Sequence, residues 1–196
     1  MNWGEIKLIT LQKMFLNDKD TLIYDETTAP YLAAMPGGAN LCLNYIASSV
    51  RHLVKFIEIE HDGQNKKYNL KDLAPDFYAF EKVYYGDNLE RTYDFRLIAD
   101  DALYLGNKAG KYTCFYNAYA PPITKDTSND YELPLYREVA GLLPWFMASQ
   151  LYKEDDPSLS GVYWNEFVTM LEDVRYSFLR NNGFEDEFVD KKGWWS

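Results

Sequence analysis

Tyr131-Glu132-Leu133-Pro134 decides the fold, because here a block of short aromatic strands has ended and helical sequence resumes. Pro134 suits the first turn of a helix, where its missing N–H is not needed. The helix so opened runs through Trp145 to Tyr152, breaks at Asp155-Asp156-Pro157 and resumes over about residues 158–180 before Asn181-Asn182-Gly183 stops it. Val139, Leu142, Phe146 and Leu151 form one apolar face, and Val162, Phe167, Leu171, Val174 and Phe178 form the next. Pro144 falls inside the first of these helices, where a straight run would cost about 3 kcal/mol, so the pattern predicts a kink or two short helices.

Before this junction the period is two. Ile57 and Ile59 alternate with Glu58 and Glu60, and His61-Asp62-Gly63 signals a hairpin. Further strands are expected at Lys66–Leu70, Phe80–Tyr85, Arg91–Ile98 and Tyr112–Tyr119, with a short one at Leu103–Leu105. Pro121-Pro122 ends the block, since proline cannot donate to a ladder. At the other end, Asn2 and Glu5 have the spacing of a capping box, and Leu8, Leu11 and Phe15 recur at helical spacing over about residues 3–16. A second helical passage starts at Thr27-Thr28-Ala29-Pro30, is interrupted at Met35-Pro36-Gly37-Gly38, and carries Ala39, Leu43, Ile46, Ala47 and Val50 on one stripe that needs a partner helix.

These elements predict an α+β fold: a helical bundle built from both ends of the chain, with an inserted small antiparallel β-sandwich or barrel. The expected divisions are residues 1–52 and 123–181 for the bundle, 53–122 for the β insert, and 182–196 for an aromatic and acidic C-terminal arm. At 196 residues the chain can bury a sizeable core, as one unit or as two sharing an interface.

Composition bounds the function. Seventeen Tyr, eleven Phe and five Trp put much of the apolar surface on rings that also carry a polar handle, which suits interfaces. A net charge of -10 argues against tight binding of a phosphate backbone. Cys42 and Cys114 lie in different segments without a CxxC, which disfavours a disulfide framework, and the N-terminus has no signal-peptide pattern, so a cytosol is expected as the place of synthesis. No segment has the length and apolarity of a membrane span.

A catalytic site has little to work with. The only histidines are His52, at a helix end, and His61, in a turn; no P-loop, GxGxxG or GxSxG occurs. Asp100-Asp101 and Glu154-Asp155-Asp156 lack the alternating spacing of a calcium loop and read as turn and helix-terminus residues. The expectation is a non-enzyme with no cofactor and no metal. Tyr84, Tyr85, Tyr93, Tyr104, Phe115, Tyr116 and Tyr119 could form a sugar-stacking face, although alternation with polar residues explains most of them as core and cross-strand pairs. The arm keeps Phe184, Phe188, Trp194 and Trp195, which either fold back on the chain's own core or dock on a neighbouring subunit.

The order of elements resembles the head-to-tail adaptor proteins of tailed bacteriophages, the head completion or connector proteins that include tail tubular A-like adaptors. The likeness is carried by Tyr131-Glu132-Leu133-Pro134-Leu135-Tyr136, by Ala148-Ser149-Gln150-Leu151-Tyr152 with its acidic break, by Tyr163-Trp164-Asn165-Glu166-Phe167, and by Ala29-Pro30-Tyr31-Leu32-Ala33-Ala34-Met35-Pro36-Gly37. The resemblance implies a structural virion protein at the head-tail junction: a homo-oligomeric ring, typically dodecameric, that sits below the portal protein, contacts tail or further connector proteins, and lets DNA pass without specific binding. Tyr131, Leu133, Trp145, Phe184, Phe188, Trp194 and Trp195 are the expected interface residues. The alternative function is a carbohydrate-binding module of a phage tail or cell-surface protein, using the tyrosine-rich sheet.

Overall fold

The computed structural model describes residues 1–15, 21, 22, 24–50, 53–64 and 66–181, with side chains as far as 177. The chain begins with α1 (Trp3–Phe15), whose start is capped as the sequence predicts: Glu5 donates its N–H to Asn2 Oδ1 at 2.8 Å, and Asn2 donates its own to Glu5 Oε2 at 3.0 Å. Its buried face is Trp3, Ile6, Thr10, Leu11 and Met14, a rotation away from the expected stripe; Leu8 and Phe15 are half-buried. The second helix, α2 (Ala29–Val50), runs unbroken through Pro36, contrary to the expected interruption. Met35, Ala39, Cys42, Leu43 and Ile46 on this helix are each at most 4% exposed. Burying them at roughly 1.5–3 kcal/mol per large side chain outweighs the proline's cost of about 3 kcal/mol.

Among the described residues seven strands follow, all paired antiparallel: β1 (Val54–His61), β2 (Lys67–Asn69), β3 (Phe77–Tyr85), β4 (Glu90–Arg91), β5 (Phe95–Ile98), β6 (Ala102–Leu105) and β7 (Gly110–Ala118). They form two sheets, ordered β1-β7-β3-β4 and β2-β6-β5, and among the described residues no closed barrel forms. The expected hairpin at His61-Asp62-Gly63 does not form: His61 ends β1, which pairs along its whole length with β7, while β2 pairs with β6. The expected strand Arg91–Ile98 is divided between the two sheets, and Leu70–Leu73, predicted in part as strand, makes one helical turn, α3, capped by the Asn69 side chain. Ile59, Leu70, Phe77, Val83, Leu103, Leu105, Tyr112 and Cys114 fill an apolar cluster shared by both sheets.

Three helices follow among the described residues: α4 (Arg137–Ala140), α5 (Leu143–Leu151) and α6 (Pro157–Asn181). Of the two outcomes open for Pro144, the structure takes two short helices, with the proline in the first turn of α5. Pro134 lies three residues before α4 rather than inside it. The reason is competition for the backbone: Trp3 and Gly4 donate to the carbonyls of Tyr131 and Asn129 at 2.9 and 2.8 Å, and Asn2 forms a β-bridge with Glu132. Residues 131–133 are therefore held against the N-terminus, directly after a turn at 129–130.

A second apolar cluster joins the two ends of the chain. Trp3 and Ile6 of α1 and Met35, Leu43 and Ile46 of α2 pack with Leu142, Leu143 and Met147 around α5 and with Phe167 and Leu171 of α6. Val162, expected on the buried stripe of α6, is 53% exposed; Phe178 has no described side chain. Asn40 clamps the return from the strands, donating from Nδ2 to the Ile123 carbonyl and accepting the Ile123 N–H at Oδ1, both at 2.8 Å. Met147→Ala should lower unfolding free energy by about 2–5 kcal/mol through a cavity beside Gly38, and Asn40→Ala by about 1–3 kcal/mol, both read from urea midpoints.

Candidate interaction surfaces

The sequence-predicted interface residues separate in the structure. Leu133 is 6% exposed and belongs to the chain's own helical core, and Tyr131 is half-buried beside it with its carbonyl taken by Trp3. Trp145 is half-buried: the Lys13 ammonium lies 3.2 Å from one ring centroid and Tyr163 tilts against it at 6.1 Å. Burial lowers the pKa of that Lys13 amine, with the charge of Glu166 pulling the other way. Phe184, Phe188, Trp194 and Trp195 lie outside the described residues, as does His52.

A surface that the sequence reading missed runs along α2. Ala33, Gly37, Leu41 and Tyr45 are all exposed and recur every fourth residue, which places them in one row on the helix. Ala34, Asn44 and Ser48 flank that row, and no residue of the 22-residue helix is charged. In a chain that is 26% charged, this gap in the charge pattern was the available signal. Leu41 is 59% exposed, and a Cβ added at Gly37 would meet nothing within 4 Å. Tyr45 leans toward α6, with ring centroids 6.2 Å from Trp164 and 5.8 Å from Phe167.

Asp101, Asp155, Asp156 and His61 each have structural partners. Asp156 accepts the N–H groups of Ser158 and Leu159, both at 3.0 Å, as a cap on α6, and Asp155 accepts the Tyr31 hydroxyl at 2.7 Å. Asp101 pairs with Lys71 at 2.9 Å, while Ala99 and Asp100 form a tight turn at φ 51° and 61°. His61 is not a turn residue: it ends β1, is 4% exposed, and sits between the Tyr68 hydroxyl at Nδ1 and the Gly106 carbonyl at Nε2. Nε2 is the donor in the second contact, because a carbonyl can only accept. Burial drives the Cys42 thiol well above its usual pKa and pushes Cys114 up to about 12, so neither is poised as a nucleophile. Among the described residues no group of three or more His, Cys, Asp or Glu could hold a metal ion, and no helix is long and apolar enough to cross a membrane.

The tyrosines of the strand block do not share one face. Tyr112 and Tyr116 are buried, and Tyr84 packs edge-on against Phe115 at 5.5 Å. Tyr85 donates its hydroxyl to the Ala109 carbonyl at 2.8 Å. Tyr93 and Tyr104, by contrast, line an open cleft of about 430 Å³ on the β2-β6-β5 sheet, together with Asp94, Arg96, Ile98 and Gly106.

No protein-family model matches this sequence, and no curated protein aligns with it significantly. The reading of its surfaces therefore rests on their geometry.

Asp76 supplies a pH-dependent contact in the strand region. Burial alone would raise its pKa, but hydrogen bonds from Lys55 and the Tyr116 hydroxyl and the Lys55 charge outweigh that and hold it below the usual carboxylate value. A depressed folded pKa contributes stability that is complete above the unfolded value of about 3.9 and lost as pH falls through the folded one. Asp76→Asn should therefore flatten the acid side of the stability profile, checked by urea denaturation of both proteins between about pH 5 and pH 2.

Proposed function

We propose that this protein is a non-enzymatic structural subunit that closes into a homo-oligomeric ring, and that the ring serves as a head-to-tail adaptor of a tailed bacteriophage. In this reading, helices from both ends make the bundle that builds the ring. The two sheets act as an inserted β-sandwich lobe toward neighbouring components. The ring lies between the portal protein and the tail or further connectors at the head-tail junction of the virion.

The observation that carries the reading is the uncharged outer row of α2. Exposed small and apolar residues at a spacing of four suit ridge-into-groove packing against another helix, with Gly37 allowing close approach. Obligate interfaces lose charge at their centres in the same way. Charge supports the rest: with -10 on every copy, a ring is strongly anionic, and like charge keeps transiting DNA from lasting contact.

Mass photometry and negative-stain microscopy of the purified protein, alone and with its portal, test this reading. Closed rings are the expected result. Gly37→Arg should abolish them while leaving the subunit as stable or about 0.5–1 kcal/mol more stable, since it removes a mid-helix glycine at an open position. A subunit that stays monomeric in both settings, or rings indifferent to Gly37→Arg and Leu41→Lys, would defeat the reading.

A further inference from the structure

We infer that the cleft on the outer face of the β2-β6-β5 sheet is a binding site for an uncharged saccharide. It is independent of the ring, since every residue of it lies within the strand region.

The register builds the cleft. Arg96 on β5 stands directly opposite Tyr104 on β6, two pairs along from Ile98 and Ala102 and so on the same face. Alternation sends Leu97, Leu103 and Leu105 inward to the shared core, which leaves Arg96, Ile98 and Tyr104 on the outer face. Tyr93 stands beside them, 66% exposed, with the Arg91 guanidinium 5.2 Å from its ring centroid. Asp94 completes the set because position 106 is glycine: any Cβ there would collide with the Asp94 carboxylate. The Gly106 backbone is itself fixed, donating its N–H to the Asp94 carbonyl at 3.1 Å and accepting from buried His61 at 2.7 Å. Arg96, Ile98 and Tyr104 therefore sit on paired strands, while Tyr93 and Asp94 come from the segment that leads into β5.

The chemistry of the walls selects the ligand. At about 430 Å³ the cleft falls within the roughly 300–1,000 Å³ of small-ligand sites. It offers two phenol rings for the apolar C–H face of a sugar, a carboxylate to accept from hydroxyls, and a planar guanidinium to donate to them. Asp94 and Arg96 put a charge of each sign on the cleft lining, and the chain's net -10 repels polyanions. A ligand that both donates and accepts, has an apolar face and carries no net charge is a neutral saccharide.

The test is calorimetric titration of the full chain with maltohexaose, cellohexaose, chitohexaose and mannohexaose, beside a thymidine oligonucleotide and an oligo-aspartate peptide. At least one saccharide should bind with a dissociation constant of about 1 mM or tighter. Tyr104→Ala and Arg96→Ala should each weaken it about tenfold or more, while Tyr176→Ala, on a remote exposed aromatic, leaves it unchanged. Hydrogen exchange of the wild type should show saccharide-dependent protection within residues 93–106, which reads the same site if a variant misfolds. Absence of binding by all four saccharides, affinity indifferent to both substitutions, protection elsewhere, or preference for either anionic probe overturns the assignment.

Discussion

Everything in this fold depends on covering α5. Its nine residues carry no charge, and six of them, Leu143 to Ser149 without Trp145, are buried. One neighbouring helix cannot cover such a segment. α6 packs on one side, and the remaining surface is taken by α1 and α2 from the opposite end of the chain. The hydrophobic effect thus draws together segments more than a hundred residues apart, and polar contacts then fix their register. The hydroxyl of Tyr163 donates to the Lys13 carbonyl at 2.6 Å and that of Tyr152 to the Met14 carbonyl. Two C-terminal tyrosines thereby satisfy last-turn carbonyls of α1 that have no partner within their own helix.

The closure dictates how the strand region attaches. Because α2 and the residues after Pro122 belong to one core, the chain must leave and return at nearby points. Pairing β1 with β7 accomplishes this: Val54 lies opposite Asn117, and Ala118 donates its N–H to the Leu53 carbonyl at 2.8 Å. β7 accordingly has more buried residues than any other described strand: it is flanked on both sides and buried at six of its nine positions rather than at alternate ones.

Features governed by neighbours in sequence were legible in advance. The capping box at Asn2 and Glu5, the buried stripe Ala39, Leu43, Ile46, Ala47 and Val50, the acidic break before Pro157 and the alternation of β1 all appear where the residues place them. Long-range competition defeated the remainder. Pro36 should break a helix, yet one buried face overrides it. Glu132 and Leu133 look like a helix start, yet the N-terminal backbone captures them first. His61-Asp62-Gly63 has turn chemistry, but a local hairpin would have left one side of β7 unpaired. As for the surfaces, aromatic content drew attention to single rings such as Leu133's neighbour Tyr131, whereas the exposed row on α2 and the pairing of Arg96 with Tyr104 depend on which face is outward, and that is a tertiary property.

The tie between β1 and β7 also makes the strand region exchangeable. Its first and last paired residues sit one strand spacing apart, about 5 Å, so the helices sense only the position of those two ends. Any segment with ends so paired, long or short, satisfies the same boundary condition. Over evolutionary time the helical part can therefore hold constant while the lobe is enlarged, trimmed or replaced, and the surface presented outward can diverge without a compensating change in the interior.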